Sequence, residues 1–165
     1  MAEQANPHPL GDVDAYKVAF EESVRAIEGQ RASVDEIRTR SGILLSAAAI
    51  ITGFLGPSAL QPGSTSLVSF VAAALLLATV APVVFVLLPT QGWAFSVGTK
   101  NLLRDYIEAD PPASVAELYR SLAWYLEVDW ESNKQLLDER YRLFTFAALA
   151  LVGETMAWLI AIALR

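Results

Sequence analysis

Apolar residues concentrate in three blocks of the chain, which polar segments separate. The blocks cover residues 42–60, 67–88 and 143–164, and among the 18 acidic residues only Glu154 falls inside one of them. A helix needs roughly 20 apolar residues to cross the hydrocarbon core of a bilayer, so each block is long enough to span it. The pattern therefore predicts an all-α integral membrane protein with three transmembrane helices.

The polar segments also carry a helical period. Between residues 12 and 41, apolar residues recur in steps of three, four and seven, which describes one stripe on a helix. After the Pro-Pro turn at residues 110–113, Ser114 and Glu117 match a capping box, and the same period continues into the third span. We therefore expect cytoplasmic helices over 12–41 and 91–142 that extend the spans as a coiled-coil-like stalk. The extensions of the first and third helices are expected to lie parallel, and that of the second to run the other way.

Prolines and the amino-terminal composition set further boundaries. We expect Gly56-Pro57 to end the first spanning helix early and Pro82 to kink the second. Residues 1–11 are predicted to form a disordered tail, and residues 12–165 one membrane helical domain. The first forty residues contain eight acidic residues and no apolar run, so the first span is expected to stay as an anchor rather than be cleaved as a signal peptide.

Lysine and arginine are distributed unevenly around the spans. Five precede the first span and six lie between the second and third, whereas residues 61–66 have none and only Arg165 follows the third. Positive charge marks the cytoplasmic side of membrane proteins. The amino terminus and residues 91–142 are thus predicted to be cytoplasmic, and the 61–66 loop and the carboxyl terminus outside.

The composition argues against several functions. The net charge of −6 offers no basic face for a nucleic acid, and the absence of cysteine excludes disulfides and thiolate sites. The single histidine, His8, lies between prolines in the polar tail, where a solvated side chain is expected. No phosphate loop, serine–histidine pair or metal-ligand cluster stands in the sequence, so we predict no enzyme activity, cofactor or metal.

Glu154 is the residue most indicative of a function. Counting inwards from the ends of the spans places Thr52, Thr79 and Glu154 at similar depth, which predicts a polar layer in the middle of the membrane. A charged carboxylate there costs several kcal/mol, so it faces protein or water and is often functional. The layer is either an ion or water path, which needs several chains, or a protonated Glu154 that hydrogen-bonds a threonine or a carbonyl and fixes helix register.

Small residues form a stripe on two of the predicted spans, and such stripes let helices approach closely in lipid. The residues expected to pack are Gly42, Ser46, Ala49, Gly53 and Gly56 in the first span, and Ala147, Ala150, Ala157 and Ala161 in the third.

Two polar-segment features have alternative interpretations. Trp124, Tyr125 and Trp130 form either a binding surface or, as their helical spacing favours, a packing face against the other helices. Asn133 lies in the apolar seam, where a buried asparagine is expected to fix register.

The stretch Gln30–Leu55, QRASVDEIRTRSGILLSAAAIITGFL, joins a polar helix with two arginines directly to a small-residue span, and a short loop and second span follow. This arrangement resembles the small bacterial membrane effectors of anti-phage systems, including the SLATT and Pycsar transmembrane effector families. The resemblance implies an inner-membrane protein that disrupts the bilayer when a nucleotide signal arrives. No separate nucleotide-sensing segment stands in this sequence, so no ligand residues are carried over.

Two hypotheses of function follow. The first is a homo-oligomeric, pore-forming or membrane-disrupting effector of a bacterial defence or signalling system, with the lipid bilayer as its surroundings. The alternative is a structural or adaptor protein whose stalk recruits a cytoplasmic protein partner.

Overall fold

The computed structural model describes residues 12–60, 67–88, 92–95 and 98–164. In these ranges the regular structure is helical and contains no strand, which confirms the all-α class. The predicted tail with His8, the 61–66 loop and Arg165 lie outside the described residues. The elements are helix α1 (Asp12–Ala59), helix α2 (Leu67–Leu87), helix α3 (Thr99–Leu102), a π-helical turn (Leu103–Ile107) and helix α4 (Val115–Ala163).

Helices α1, α2 and α4 each contain a stretch that is long and apolar enough to cross a membrane. Helix α2 has 21 residues, which corresponds to about 32 Å at the helical rise per residue and matches the hydrocarbon thickness. Helices α1 and α4 have 48 and 49 residues and carry the apolar stretch in their second halves. The predicted continuity of the polar and apolar parts of both helices is confirmed.

Both prolines in the apolar stretches lie inside helices. Helix α1 continues through Pro57 to Ala59, and the N–H of Leu60 donates to the carbonyl of Gly56 at 2.9 Å. The prediction that Gly56-Pro57 ends this helix early is therefore wrong. A proline removes one backbone donor, but leaving the helix would unpair several more groups, which an apolar environment penalises.

The start of helix α4 follows the predicted capping box. Oε2 of Glu117 accepts hydrogen bonds from the Ser114 N–H at 2.9 Å and from its hydroxyl at 2.8 Å. The Ser114 hydroxyl oxygen accepts the Glu117 N–H in return at 3.3 Å. The bonds from Ser114 stabilise the carboxylate and lower the pKa of Glu117.

The described chain divides into two compact units. Unit 1 comprises the described residues within Met1–Ala32 and Gln91–Gln135, and unit 2 those within Ser33–Thr90 and Leu136–Arg165. Helices α1 and α4 contribute to both units, and the division lies within ten residues of the predicted start of each apolar span. Unit 1 is mainly polar in composition and unit 2 mainly apolar.

In unit 2, helices α1, α2 and α4 pack through small side chains and one tryptophan. The buried cluster consists of Ala59, Ala72, Ala157, Trp158 and Ala161. Arg140 contacts Phe85, whereas Gly153, further along α4, lies against Leu75. Helices α2 and α4 are therefore antiparallel.

In unit 1, separate side-chain contacts connect the elements to one another. The rings of Phe20 and Tyr119 lie 5.7 Å apart between α1 and α4. The side-chain amide of Gln30 donates to the carbonyl of Trp130 at 2.8 Å. The fully buried Asn133 pairs with the backbone of Ala94, accepting its N–H at 3.1 Å and donating to its carbonyl at 2.7 Å. Asn133 therefore fixes the segment 92–95 on helix α4.

Replacing Asn133 by leucine leaves both backbone groups of Ala94 without their partner. We expect Asn133→Leu to lower the free energy of unfolding by roughly 3 kcal/mol and to speed chymotrypsin cleavage beside Trp93 and Phe95. Gln135→Leu, at an exposed position of the same helix, is the control and should change stability by less than about 0.5 kcal/mol. Thermal unfolding in detergent checks both values, and equal effects of the two substitutions would contradict the role of Asn133.

Candidate functional site

Unit 2 buries several polar side chains among small apolar ones and exposes large apolar side chains. Phe54, Leu77 and Leu149 are 77%, 69% and 68% exposed. The buried polar residues of this unit are Ser41, Ser69, Thr79, Arg140 and Glu154. Such an arrangement suits lipid, because polar groups in a membrane protein turn towards the bundle and apolar side chains face the hydrocarbon.

The side chain of Glu154 is fully buried at the centre of this interior. Its Oε1 accepts a hydrogen bond from the hydroxyl of Thr52 on helix α1 at 2.5 Å. The same oxygen accepts the indole N–H of Trp158, one turn further along α4, at 3.2 Å. The other oxygen, Oε2, is buried and has no hydrogen-bond partner among the described residues.

The chemistry of the site follows from the carboxyl of Glu154, which has hydrogen-bond donors at only one of its two oxygens. Both donors converge on Oε1, and none of the ion pairs in the described residues involves Glu154. A buried polar atom without a partner is costly, so Oε2 has capacity for one more ligand: a proton, a water molecule or a cation. Ser41 Oγ, in the same unit, is likewise buried without a partner among the described residues.

Thr79 is buried but does not complete the predicted layer. Its hydroxyl donates to the carbonyl of Leu75 on its own helix at 3.0 Å. Leu75 lies against Gly153, and Thr79 is one turn further along α2, so its level differs from that of Glu154 by about one turn. The structure therefore joins Thr52 and Glu154, and places Thr79 elsewhere in the same interior.

The small residues of helix α4 lie on the face that carries Glu154. Ala147, Ala150, Ala157 and Ala161 are all buried. Their short side chains allow close approach of the neighbouring helices, which brings the Thr52 hydroxyl to the carboxyl.

The small residues predicted on helix α1 lie mostly on another face. Gly56 is buried and Gly42 half-buried, but Ser46, Ala49 and Gly53 are exposed. An added Cβ at Gly53 would meet nothing within 4 Å. Contact of this stripe with a second copy remains a prediction.

The face of α1 that does pack within unit 2 is a different set of small residues. Its members are Ser41, Ala48, Thr52 and Ala59, all of them buried or half-buried. Successive residues of a helix are about 100° apart, so Thr52 and Gly53 point in different directions. Two stripes with similar spacing run along this helix, and the composition alone does not show which of them packs.

Arg140 is buried, although the sequence analysis counted it only among the six positive charges between the second and third spans. Its guanidinium lies 4.4 Å from the centre of the Phe85 ring and donates to the Phe85 carbonyl. Phe85 is in the last turn of helix α2, where the carbonyl groups have no partner in their own helix. Arg140 therefore caps this helix end with a favourable charge.

The aromatic residues of unit 1 differ in exposure. Trp124 and Tyr125 are 71% and 51% exposed, so the predicted packing of these two is wrong. Trp130 is half-buried, and the ammonium group of Lys134 lies 5.1 Å from its ring centre. Helical spacing alone did not distinguish the exposed residues Trp124 and Tyr125 from the half-buried Trp130.

Comparison of the chain with protein-family models, curated proteins and solved structures gave no match. Function is therefore argued from the geometry and chemistry of the sites themselves.

The bond between Thr52 and Glu154 is directly testable. We expect Thr52→Val, which keeps the shape but removes the donor, to lower the free energy of unfolding by roughly 1–3 kcal/mol, whereas Thr52→Ser retains most of it. Thr145→Val is the matched control, because its exposed hydroxyl donates within its own helix, to the Tyr141 carbonyl at 2.9 Å. Circular dichroism during unfolding in mixed micelles measures the difference. Equal destabilisation by the two valine variants would refute the bond.

Proposed function

We propose that this protein is a bacterial membrane effector that assembles into homo-oligomers and changes the permeability of the bilayer. The observation that supports this proposal is the fully buried carboxyl of Glu154 with its unpartnered oxygen. Ionisable groups inside membrane bundles are rare, and they mark ion or proton pathways more often than structural contacts.

The arrangement within one chain corresponds to a closed state in this proposal. Thr52 and Trp158 occupy one carboxyl oxygen, and the buried alanines of α4 surround the group. Three helices are too few to enclose a wide path, so several copies must contribute. A shift of α4 against α1 would break the Thr52–Glu154 bond and release the carboxyl into a path between copies.

The exposed small-residue stripe of α1 is the proposed contact between copies. Ser46, Ala49 and Gly53 present little side-chain volume on the surface of unit 2. In lipid, the burial of apolar side chains does not drive helices to associate. Close approach of the backbones at small residues favours association instead. The uneven distribution of lysine and arginine supports a cytoplasmic position for unit 1. The resemblance to anti-phage effectors suggests a defence context.

The alternative function is that of a membrane-bound adaptor. It is favoured by Trp124 and Tyr125, whose aromatic side chains are exposed on the surface of unit 1. In that case substitutions at these positions abolish the cellular effect and Glu154→Gln is silent.

A membrane-potential assay distinguishes the two functions. We expect induced expression of the wild-type chain to depolarise cells, and Glu154→Gln to reduce the rate about tenfold, because it removes the ionisable group at mid-membrane depth. Glu139→Gln, which neutralises an exposed glutamate of the same helix, is the control. A wild-type chain that reaches the membrane without changing the potential would contradict the permeability function.

Gly53→Leu tests the contact between copies. A Cβ at this position meets nothing within 4 Å in one chain, and leucine is a better helix former than glycine, so the single chain should not be destabilised, while close approach of two α1 helices is blocked. Ile50→Leu, at an exposed position of the same helix, is the matched control. Cross-linking in native membranes should show loss of oligomers only for Gly53→Leu. An unchanged cross-linking pattern would place the contact on another face.

A further inference from the structure

Unit 1 contains a groove that the proposed permeability function does not use. It has a volume of about 680 Å³ and lies between helix α1, the π-helical turn and helix α4. Sites for small organic ligands usually enclose about 300–1,000 Å³, so the groove has the capacity of such a site.

Aromatic side chains from all three elements line this groove. Tyr16 comes from α1, Tyr106 from the π-helical turn, and Trp124 and Tyr125 from α4. Tyr106 lies close enough to Tyr125 for its hydroxyl to raise the pKa of Tyr125. The indole of Trp124 is exposed and accessible beside these two rings.

The charges around the groove favour a cation. Its lining includes two carboxylates, Glu117 and Glu127, and one guanidinium, Arg120, for a formal net of −1. The charge of Arg120 is partly neutralised, because it lies close enough to Glu117 to lower the pKa of that carboxyl. Asp105 is near Tyr125 and contributes to its raised pKa, but its charge is balanced by the ion pair with Arg104.

The Trp124 ring is available to an external cation. In the part of the chain that the structure describes, the cations over aromatic rings are Lys134 on Trp130 and Arg140 on Phe85. Neither of them covers Trp124. The Lys134–Trp130 pair also shows that a tryptophan of helix α4 in this unit holds a cation over its face.

We propose that this groove binds a small organic cation of the quaternary ammonium class. Such a cation is attracted by the electron-rich faces of tryptophan and tyrosine, and its methyl groups are compatible with their apolar character. Glu127 supplies the countercharge. The site is separate from Glu154 and does not depend on the permeability function.

Choline is the probe, and 3,3-dimethyl-1-butanol, which carries carbon in place of the charged nitrogen, is its neutral control. The full chain is titrated at constant ionic strength in a maltoside detergent. Maltosides carry no quaternary ammonium group, whereas some other detergents and lipids do. We expect a saturable change in tryptophan fluorescence with choline, at a dissociation constant roughly tenfold lower than that of the neutral control. Calorimetry provides a second readout that does not depend on tryptophan.

Variants of the groove test the individual contacts. Trp124→Leu should abolish saturable choline binding by calorimetry, and Glu127→Gln should weaken it roughly threefold without affecting the neutral compound. Glu139→Gln, an exposed glutamate outside the groove, should bind as the wild type does.

Three results would overturn the proposal. They are equal affinity for choline and its neutral control, unchanged binding in Trp124→Leu, and tighter binding of N-acetyl-argininamide than of choline. The last would identify the natural occupant as an arginine side chain of a protein partner, in agreement with the adaptor function.

Discussion

The carboxyl of Glu154 is fully buried, so its hydrogen bonds must come from the helices around it. Thr52 and Trp158 both donate to one of its oxygens, which sets the register of α1 against α4 at this level. The buried alanines of α4 follow from the same constraint, because larger side chains would hold the donor helix away. The remaining oxygen keeps the site chemically incomplete, and the proposed function depends on that incompleteness.

The same pair of long helices, α1 and α4, has a different kind of surface in each unit. In unit 2 large apolar side chains are exposed and several polar side chains are buried, and Arg140 caps the last turn of α2. In unit 1 the helices carry exposed charges, and asparagine and glutamine side chains pair with backbone groups of the connecting segment and of α4.

The apolar blocks, the capping box and the continuity of the helices were predictable, because hydropathy and local hydrogen bonding determine them. The contacts of individual side chains were less predictable. Thr52 and Thr79 both seemed level with Glu154, but counting residues inwards fixes depth only to about one turn. On α1, two small-residue stripes fit the packing rule, and only the tertiary structure shows that Ala48 packs inwards and Ala49 does not. The exposure of Trp124 likewise depends on the tertiary positions of α1 and the π-helical turn.

The central claim is that the exposed apolar surface of unit 2 faces lipid, and the absence of natural cysteine permits a direct measurement of it. Single cysteines at Leu77, Leu149 and Trp124, all strongly exposed, are treated with a water-soluble maleimide in inverted membrane vesicles. We predict rapid labelling at 124, and labelling at 77 and 149 only after the membrane is dissolved in denaturing detergent, because the thiol reacts as a water-solvated thiolate. Equal labelling at all three positions in intact vesicles would show that this surface faces water, and would contradict the account.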